Sequence, residues 1–525
     1  ETFCFEAAEF LARAASSAII NQSNERNAST IDANGRLAAH SIGTPHLTFV
    51  TQLIVRWALL NLDDYDIGPG DVFVANDPDY GGGHLPDYCV YGPVFDEHGE
   101  LICFQTLQSH QGDTGGKDPG GFTLEATDIF TEGLAIPCLK VVHRGEKRKD
   151  AIRLLERNNR FPTFSGDLAA MIGGVEHSVR LMGGLLAKWG AETVKAAINY
   201  SIDETERLIR QEVARWPDGR FEGEVFIDHD TVGNKDIRVH AACIIEGDQL
   251  TIDLSGSDER QDLVGVWNTF GNSRSYAMTQ IAATIDPVIV KNEGLFNAVD
   301  LVIPEGTILQ PPPNKPAALG SFHPACEITE AVCLAMAQVV PERSVFQGYK
   351  MGMPNAVIGF DEDGQMWMDQ GVDVRVMDAS AVQDIDGWGG MCAAQHQEGA
   401  EARHRHDLDG LARASPARGA RRGGCLRLRE PLSGRYARRV RSDARRPCPA
   451  ARRRRHGLPE RRRFGLRPGD PARPAQGARR RARRIRQHRG RARCLWRGAE
   501  RHARKLRSRR RRGGDAGAAR EDGQR

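Results

Sequence analysis

Histidine and aspartate side chains of the kind that bind metals or move protons lie among clustered glycines in residues 76–133. His84 and Asp87 are three positions apart, and His110 follows further along the same stretch. Pro86 excludes a regular helix between the first two, so we expect that pair on a turn. Two imidazoles and one carboxylate suit Mn, Fe(II) or Zn acting as a Lewis acid. The alternative, that these residues only cap strands and close a turn, stays open at this point.

A β-hairpin is the element that can bring these side chains together. Residues 88–95 and 101–107 are both apolar, and they flank the polar turn Asp96-Glu-His-Gly99. This pattern is typical of two antiparallel strands. The second strand would end near the start of the first, which places His110 beside the earlier pair. The glycine clusters allow the neighbouring backbone to turn sharply and approach a ligand closely.

The rest of the chain predicts an α+β fold of mixed antiparallel sheets and helices. Apolar residues at helical spacing occupy 6–21, 47–61 and 166–216, whereas 221–254 alternates as two or three antiparallel strands do. We expect four regions: an N-terminal region with the hairpin (1–161), a helical segment (162–217), a β-rich α+β region (218–396) and a tail (397–525).

Two further polar positions are assigned structural roles. Asp228-His229-Asp230 cannot converge on a metal, because contiguous strand residues alternate faces, so we interpret it as a turn. Ser321 precedes a helix predicted to begin at Cys326. We interpret it as that helix's N-cap, although a position near a substrate is the alternative.

Charge is distributed unevenly along the chain. The last 125 residues hold 43 of the 72 Lys and Arg but 11 of the 69 Asp and Glu, which leaves 29 basic and 58 acidic residues in the first 400. Such an acidic body argues against nucleic acid as its ligand. The Arg-rich tail has too few apolar residues to form a core, so we expect it to be disordered. Either it is a basic arm for nucleic acid or it results from a reading-frame error, which the near absence of Lys favours.

Cysteine usage and hydropathy indicate the compartment. The eleven cysteines include no CxxC pair, and most have apolar neighbours, as buried free thiols do. No apolar run approaches the length needed to cross a membrane. We therefore expect a cytoplasmic protein that does not span a membrane.

Several sequence blocks share the pattern of one known family. They are NDPDYGGGHLPD, SHQGDTGG, PGGF, ATDIFTEGLAIP, Val266-Trp-Asn268 and Pro304-Glu-Gly306. Together they resemble the hydantoinase B/oxoprolinase family over residues 8–395. That family comprises the B subunits of ATP-dependent hydantoinases, the matching half of 5-oxoprolinase, and the large subunits of acetone and acetophenone carboxylases. Because the first helix enters the family pattern late, we expect a segment to precede it.

The resemblance implies roles for individual residues. In the carboxylase members the metal lies on the HxxD pair and the later histidine, which correspond here to His84, Asp87 and His110. A further acidic ligand lies upstream and corresponds to Glu25. The family pattern has an Asp where this chain has Asn27.

Two more residues are catalytic candidates. His46 lies in a region that leads toward the active site in the family, so we expect it to contact the substrate or support the site. Asp113, shortly after His110, is our candidate for orienting the site or acting as general base. A turn role before Gly115 is the alternative for Asp113.

The resemblance also implies half of a two-subunit, ATP-dependent enzyme. ATP would bind to a partner A-type subunit with an actin-like ATPase fold, and this chain contains no GxxxxGK[ST] phosphate loop. After the partner activates the substrate, this chain would hydrolyse a cyclic amide of hydantoin or 5-oxoproline type, aided by a divalent metal. One alternative is the large subunit of an ATP-dependent ketone carboxylase. Another is a non-catalytic homologue whose basic tail binds nucleic acid.

Overall fold

The computed structural model of the chain describes residues 1–21, 25–41, 45–61 and 66–344, and the short segments 347–348, 355–360, 364, 366–371 and 378–379. The Arg-rich tail lies outside the described residues. The described part consists of helices and mostly antiparallel sheets, which confirms the α+β fold class. No helix in this part is both long and apolar enough to cross a membrane.

A seven-stranded antiparallel sheet forms the N-terminal part of the fold. Its strands are β1 (Arg26–Asp32), β2 (Leu37–His40), β3 (Val72–Ala75), β4 (Asp87–Phe95), β5 (Leu101–His110), β6 (Leu139–His143) and β7 (Glu146–Lys147). They are ordered β2-β1-β5-β4-β3-β6-β7 across the sheet. The hairpin of β4 and β5 therefore lies in the middle of the sheet.

The predicted hairpin is confirmed, and its turn is encoded locally. A side-chain oxygen of Asp96 accepts hydrogen bonds from the backbone N–H groups of His98 (2.9 Å) and Glu100 (2.8 Å). Gly99 has a φ of 80°, a left-handed conformation that glycine adopts without steric strain. Both strands are longer than predicted, so β4 begins at Asp87 and β5 ends at His110.

The α-helices of the described part are α1 (Thr2–Ala14), α2 (Ala18–Asn21), α3 (Pro45–Leu60), α4 (Lys149–Arg157), α5 (Thr163–Trp189), α6 (Ala191–Val213), α7 (Phe270–Thr284), α8 (Glu293–Ala298) and α9 (Ala325–Met336). Some of them cover both faces of the first sheet. On one face Val90 and Leu107 pack in a cluster with α1 and α5. On the other, Tyr91 and Phe104 belong to a cluster that includes α3. Because alternate residues enter different clusters, both faces of the hairpin are buried.

A second sheet follows the long helices α5 and α6. It is formed by β8 (Gly219–His229), β9 (Lys235–Glu246), β10 (Gln249–Asp253) and β11 (Val299–Val302), in the order β11-β10-β9-β8. The three antiparallel strands agree with the sequence pattern, and β11 joins them in parallel. Asp230 closes the turn after β8 by accepting three backbone N–H groups, so its interpretation as a turn residue is confirmed. Asp228 and His229, predicted as part of the same turn, are instead the last two residues of β8.

Four short strands complete the described part of the fold. They are β12 (Gln347–Gly348), β13 (Asn355–Phe360), β14 (Met366–Gly371) and β15 (Asp378–Ala379). β12 pairs with β15, and β13 pairs with β14.

The largest hydrophobic cluster joins the two main sheets. It contains Tyr91 of the first sheet together with Val239 and Ile252 of the second. Helix α7 contacts both α3 and α9 within this region. This packing brings the first turn of α7 and the 3-10 turn Ala318–Ser321, called the 318–321 turn below, to the end of the hairpin. The predicted domain boundaries stay predictions.

Candidate metal centre

The register of the hairpin places Asp87 directly opposite His110. His84 lies in the turn that leads into β4, and its carbonyl accepts a hydrogen bond from the backbone N–H of Asp87 (3.0 Å). One ligand atom from each of the three residues lies within 4.8 Å of the others. The structure therefore brings together the three residues that the sequence predicts as metal ligands. We call His84, Asp87 and His110 the ligand triad.

Both imidazoles of the ligand triad face one carboxylate oxygen. Asp87 Oδ1 lies 2.9 Å from His84 Nε2 and 3.1 Å from His110 Nδ1. All three residues are buried, with 6% exposure or less. Burial alone would raise the pKa of Asp87, but the two imidazoles outweigh it and hold that pKa below its ordinary value. Burial alone would lower the pKa of His84, and the Asp87 carboxylate outweighs this effect and raises it.

The polar atoms of the ligand triad are incompletely paired within the protein. Asp87 Oδ2 is buried without a hydrogen-bond partner. His84 Nε2 also lacks one, because its close contact with Asp87 does not have the direction of a hydrogen bond. Unpaired buried polar atoms are rare and call for an explanation. An imidazole nitrogen and a carboxylate oxygen that converge in this way fit a divalent cation as their missing partner.

A backbone contact fixes the orientation of His84. Its Nδ1 lies 2.9 Å from the carbonyl oxygen of Ala318, so the tautomer with a proton on Nδ1 donates to that carbonyl. Nε2 is then free of hydrogen and directed into the triad, the arrangement that metal-binding histidines generally have.

Glu132 in turn holds the peptide that His84 contacts. Its two carboxylate oxygens accept hydrogen bonds from the backbone N–H groups of Ala317 and Ala318, both at 2.9 Å. The residue is 2% exposed, and burial raises its pKa to about 7 although these two N–H groups act in the opposite direction. Glu132 therefore supports the orientation of His84 through the chain at Ala318.

Glu25, the predicted fourth ligand, lies at the edge of the ligand triad. It immediately precedes β1, which pairs with β5, and its carbonyl accepts the backbone N–H of His110 (3.2 Å). Its Oε2 lies 3.9 Å from His110 Nδ1, and its side chain is 31% exposed. Burial raises the pKa of Glu25, an effect that His110 partly offsets. Its role as a ligand stays a prediction.

His46, predicted near the substrate, also lies at this edge. It is in the first turn of α3, and its Nε2 is 3.9 Å from the unpaired Asp87 Oδ2. Its ring stacks on Tyr276 of α7, with centroids 5.0 Å apart. Burial lowers the pKa of His46 to about 4, which keeps the imidazole neutral near pH 7.

Asp113 has a different environment from the ligand triad. Its carboxylate accepts hydrogen bonds from Arg160 Nη1 (2.7 Å), the Arg160 backbone N–H (2.8 Å) and the Gly120 N–H (3.3 Å). These contacts tie the glycine-rich loop after β5 to the chain before α5. The role of Asp113 as general base and its alternative role in a turn before Gly115 both stay predictions.

Two phenylalanines form an aromatic wall beside the ligand triad. The Phe122 ring stacks on His110 with centroids 5.8 Å apart and lies 6.2 Å from the His84 ring. Phe322 packs against Phe122 at 5.5 Å. Both phenylalanines are partly exposed. This wall separates the imidazoles from solvent and offers an apolar surface to a ligand.

The interpretation of Ser321 as an N-cap is wrong. Helix α9 begins at Ala325, and Pro324 occupies its N-cap position. Ser321 lies instead in the 318–321 turn, where its Oγ accepts a hydrogen bond from Asn272 Nδ2 (3.0 Å). Its carbonyl accepts another from the Tyr276 hydroxyl (3.0 Å). Ser321 is thus engaged by α7, next to the ligand triad.

A second imidazole–carboxylate pair follows this turn. His323 Nδ1 lies 2.9 Å from Glu327 Oε1, with the histidine side chain 35% and the glutamate side chain 3% exposed. A partly exposed imidazole that a buried carboxylate orients can transfer protons.

The Hydantoinase B/oxoprolinase family matches residues 1–416 of the sequence. This chain belongs to that family. The resemblance carried by the glycine-rich blocks is therefore confirmed. The family's named members include amide hydrolases and one component of a carboxylase.

Two curated relatives and one solved structure illustrate the similarity. The beta subunit of caprolactamase from Pseudomonas jessenii is 29% identical over 326 residues, which cover 62% of this chain and 56% of the relative. The B subunit of a putative D-/L-hydantoinase from Pseudomonas sp. (strain NS671) is 27% identical over 365 residues, covering 65% and 60%. The crystal structure of ATP-dependent caprolactamase from Pseudomonas jessenii matches with a TM-score of 0.65 at 26% identity, covering 74% of this chain and 67% of that chain.

These matches leave part of each relative uncovered. The aligned regions span 56% and 60% of the lengths of the two curated relatives. The structural match nevertheless shows that this hydantoinase B-family chain shares the caprolactamase fold over about three quarters of its length.

Two residues near the ligand triad make contacts that no local sequence pattern predicts in this hydantoinase B-family chain. Glu132 lies inside the block ATDIFTEGLAIP, but its partners are 185 residues away in the chain. Asn272 lies in the first turn of α7 and meets Ser321 across 49 residues. Only the tertiary packing of α7 and the 318–321 turn reveals either contact.

Proposed function

We propose that this chain is the B-type subunit of an ATP-dependent enzyme that hydrolyses a cyclic amide of hydantoin, 5-oxoproline or lactam type. The observation that carries the proposal is the buried ligand triad with its unpaired His84 Nε2 and Asp87 Oδ2. The names of the caprolactamase and hydantoinase relatives support a cyclic amide as substrate.

We propose that a divalent ion of Mn, Zn or Fe(II) binds to the ligand triad, with Glu25 as a further ligand. When bound, such an ion lowers the pKa of water and polarises a carbonyl. The oxygen and nitrogen ligands suit each of these ions. The surrounding residues are suited to supporting roles. His84 is held by Ala318, and the aromatic wall excludes bulk water. Neutral His46 can contact the substrate beside Asp87.

ATP is proposed to bind to an A-type partner subunit with an actin-like ATPase fold. The two relatives are named as the beta and B subunits of their enzymes, which supports a partner for this chain as well. The lack of a GxxxxGK[ST] loop in the sequence agrees with a nucleotide site on that partner. The partner would activate the substrate carbonyl with ATP, and this chain would complete the hydrolysis.

We propose the cytoplasm as the compartment of this protein. Seven cysteines of the described residues are free thiols, and six of them are buried. Free thiols are typical of proteins in a reducing compartment. The net acidic charge of the first 400 residues does not favour nucleic acid as a partner.

Metal analysis tests the proposed centre. The purified full chain should contain close to one divalent ion, and His84→Ala or His110→Ala should lose most of it. His98→Ala is a matched control, because His98 lies in the turn at the opposite end of the same hairpin and its side chain is 80% exposed. Metal retained equally in all four proteins would refute the proposed ligands.

A substrate panel tests the reaction. The chain, its A-type partner and ATP would be supplied with hydantoin, 5-oxoproline and ε-caprolactam, and ring opening would be followed by chromatography. Parallel reactions would contain acetone or acetophenone with labelled bicarbonate. Ring opening that requires ATP supports the proposal, whereas carboxylation without ring opening would replace it with the ketone carboxylase alternative.

A further inference from the structure

Asn272 is a buried residue whose side chain is only half satisfied. It is fully excluded from solvent in the first turn of α7. Its Nδ2 donates to Ser321 Oγ at 3.0 Å, while its Oδ1 is buried without a hydrogen-bond partner. The Tyr276 hydroxyl fixes the Ser321 backbone from the same helix. The amide of Asn272 is therefore held in place with an unpaired acceptor, which is costly unless something donates to it.

The unpaired oxygen of Asn272 lies near Asp87 of the ligand triad. A Cβ atom placed on Gly83 would lie 3.4 Å from Asn272 Oδ1 and 3.4 Å from Asp87 Oδ2. Both oxygens are unpaired, so two acceptors border the same small space at Gly83. The absence of a side chain at Gly83 keeps this space open. His46 approaches the same Asp87 oxygen, with Nε2 at 3.9 Å, and its ring stacks on Tyr276.

A hydrogen-bond acceptor next to a proposed cation site is complementary to the adjacent N–H and carbonyl groups of a cyclic amide. Open-chain secondary amides are trans, but a small ring holds the amide cis. Its carbonyl oxygen and its N–H then point to the same side, so the groups that bind them must lie next to each other. A ketone of the same size has the carbonyl but no N–H, and it would leave a buried acceptor unpaired.

We propose that Asn272 is a specificity-determining residue whose Oδ1 accepts a hydrogen bond from the ring N–H of a cyclic amide while the carbonyl faces the ligand triad. This inference rests on the proposed function and narrows it, because it selects cyclic amides over ketones. Ser321 serves as the positioning residue that holds Asn272 in the required orientation.

The test compares two ligands that differ only at the proposed contact. ε-Caprolactam and cycloheptanone are both seven-membered rings with a carbonyl, and the ketone has CH2 in place of N–H. Their affinities for the full chain loaded with Mn would be measured by titration calorimetry without ATP. We expect wild-type protein to prefer the lactam, and Asn272→Leu to reduce the ratio of the two affinities about tenfold.

Three further variants control the comparison. Thr279→Val also removes an unpaired buried polar atom from α7, and it should leave the ratio unchanged. Asn272→Asp keeps an acceptor oxygen and should retain the preference for the lactam. If Asn272→Leu does not fold, Asn272→Ala, which also lacks the amide, replaces it in the comparison.

The outcomes separate this inference from the proposed function. If His84→Ala and His110→Ala contain as much metal as the wild type, the proposed metal centre is refuted. If Asn272→Leu keeps its metal and also keeps the wild-type ratio of lactam to ketone affinity, the inference is refuted and the proposed function is not. Equal affinity of the metal-loaded wild type for lactam and ketone also refutes it.

Discussion

Replacement of Asp113 by Asn distinguishes a structural role for this residue from a catalytic one. The carboxylate accepts the Arg160 guanidinium on Oδ1 and the Arg160 backbone N–H on Oδ2. An asparagine at position 113 keeps one acceptor oxygen, but its NH2 group replaces the other oxygen and faces an N–H donor of Arg160. One hydrogen bond with a charged partner is then lost, which costs roughly 1.5–3 kcal/mol. The 28% exposure of the Arg160 side chain allows water to replace part of the attraction.

We therefore expect Asp113→Asn to destabilise the fold by about 1–2 kcal/mol and to lower Tm by a few degrees, on the order of 2–4 °C. Differential scanning calorimetry and urea unfolding would measure this change, and kcat would be measured in the presence of the A-type partner, at a temperature where the variant is folded. Asp118→Asn is the matched control, since Asp118 contacts Arg160 through its backbone oxygen. Unchanged stability together with a kcat at least about a hundredfold lower would refute the structural account and identify Asp113 as the general base.

Three further outcomes follow from the contacts of Glu132 and from two glycines. Glu132→Gln should weaken metal binding about 10- to 100-fold because it disturbs the peptide that orients His84; unchanged affinity in a metal titration would contradict this. The raised pKa of Glu132, about 7 against an ordinary 4.5, means that the folded state holds this proton more tightly. Stability from this group is therefore present below about pH 4.5 and is lost as pH rises through about 7, a loss of roughly 3 kcal/mol that Glu132→Gln should abolish in urea unfolding at pH 5 and 8. Gly82→Ala should destabilise the fold by at least about 2 kcal/mol, since its Cβ would overlap the backbone oxygen of Asn76. Gly184→Ala in α5, which meets no atom within 4 Å, should be neutral or stabilising by up to about 1 kcal/mol, and equal Tm changes for the two variants would contradict the packing described.

The parts of the site that local sequence encodes could be predicted, whereas the supporting contacts could not. The hairpin follows from the Asp96 turn and its two apolar strands, and its register alone brings His110 to Asp87. Glu132 meets Ala317 and Ala318 across 185 and 186 residues of sequence, so this contact depends on the tertiary fold. No periodicity or turn pattern contains that information.

Two positions show how a local rule can fail. Ser321 stands before a helix, where a hydroxyl often caps the first turn. Here Pro324 takes that place, and the hydroxyl accepts Asn272 from another helix instead. Asp113 is close to His110 in sequence, yet the chain turns away after β5 and its carboxylate meets Arg160. In both cases the side chain meets a partner that lies far away in the chain, and the general-base role of Asp113 stays a prediction.

The 318–321 turn touches both halves of the site through neighbouring residues. The carbonyl of Ala318 orients His84, and the hydroxyl of Ser321 orients Asn272. A small shift of this one turn therefore moves the His84 imidazole and the Asn272 amide together. By thermodynamic linkage, an ion that settles the turn would tighten lactam binding, and the lactam would tighten ion binding by the same factor.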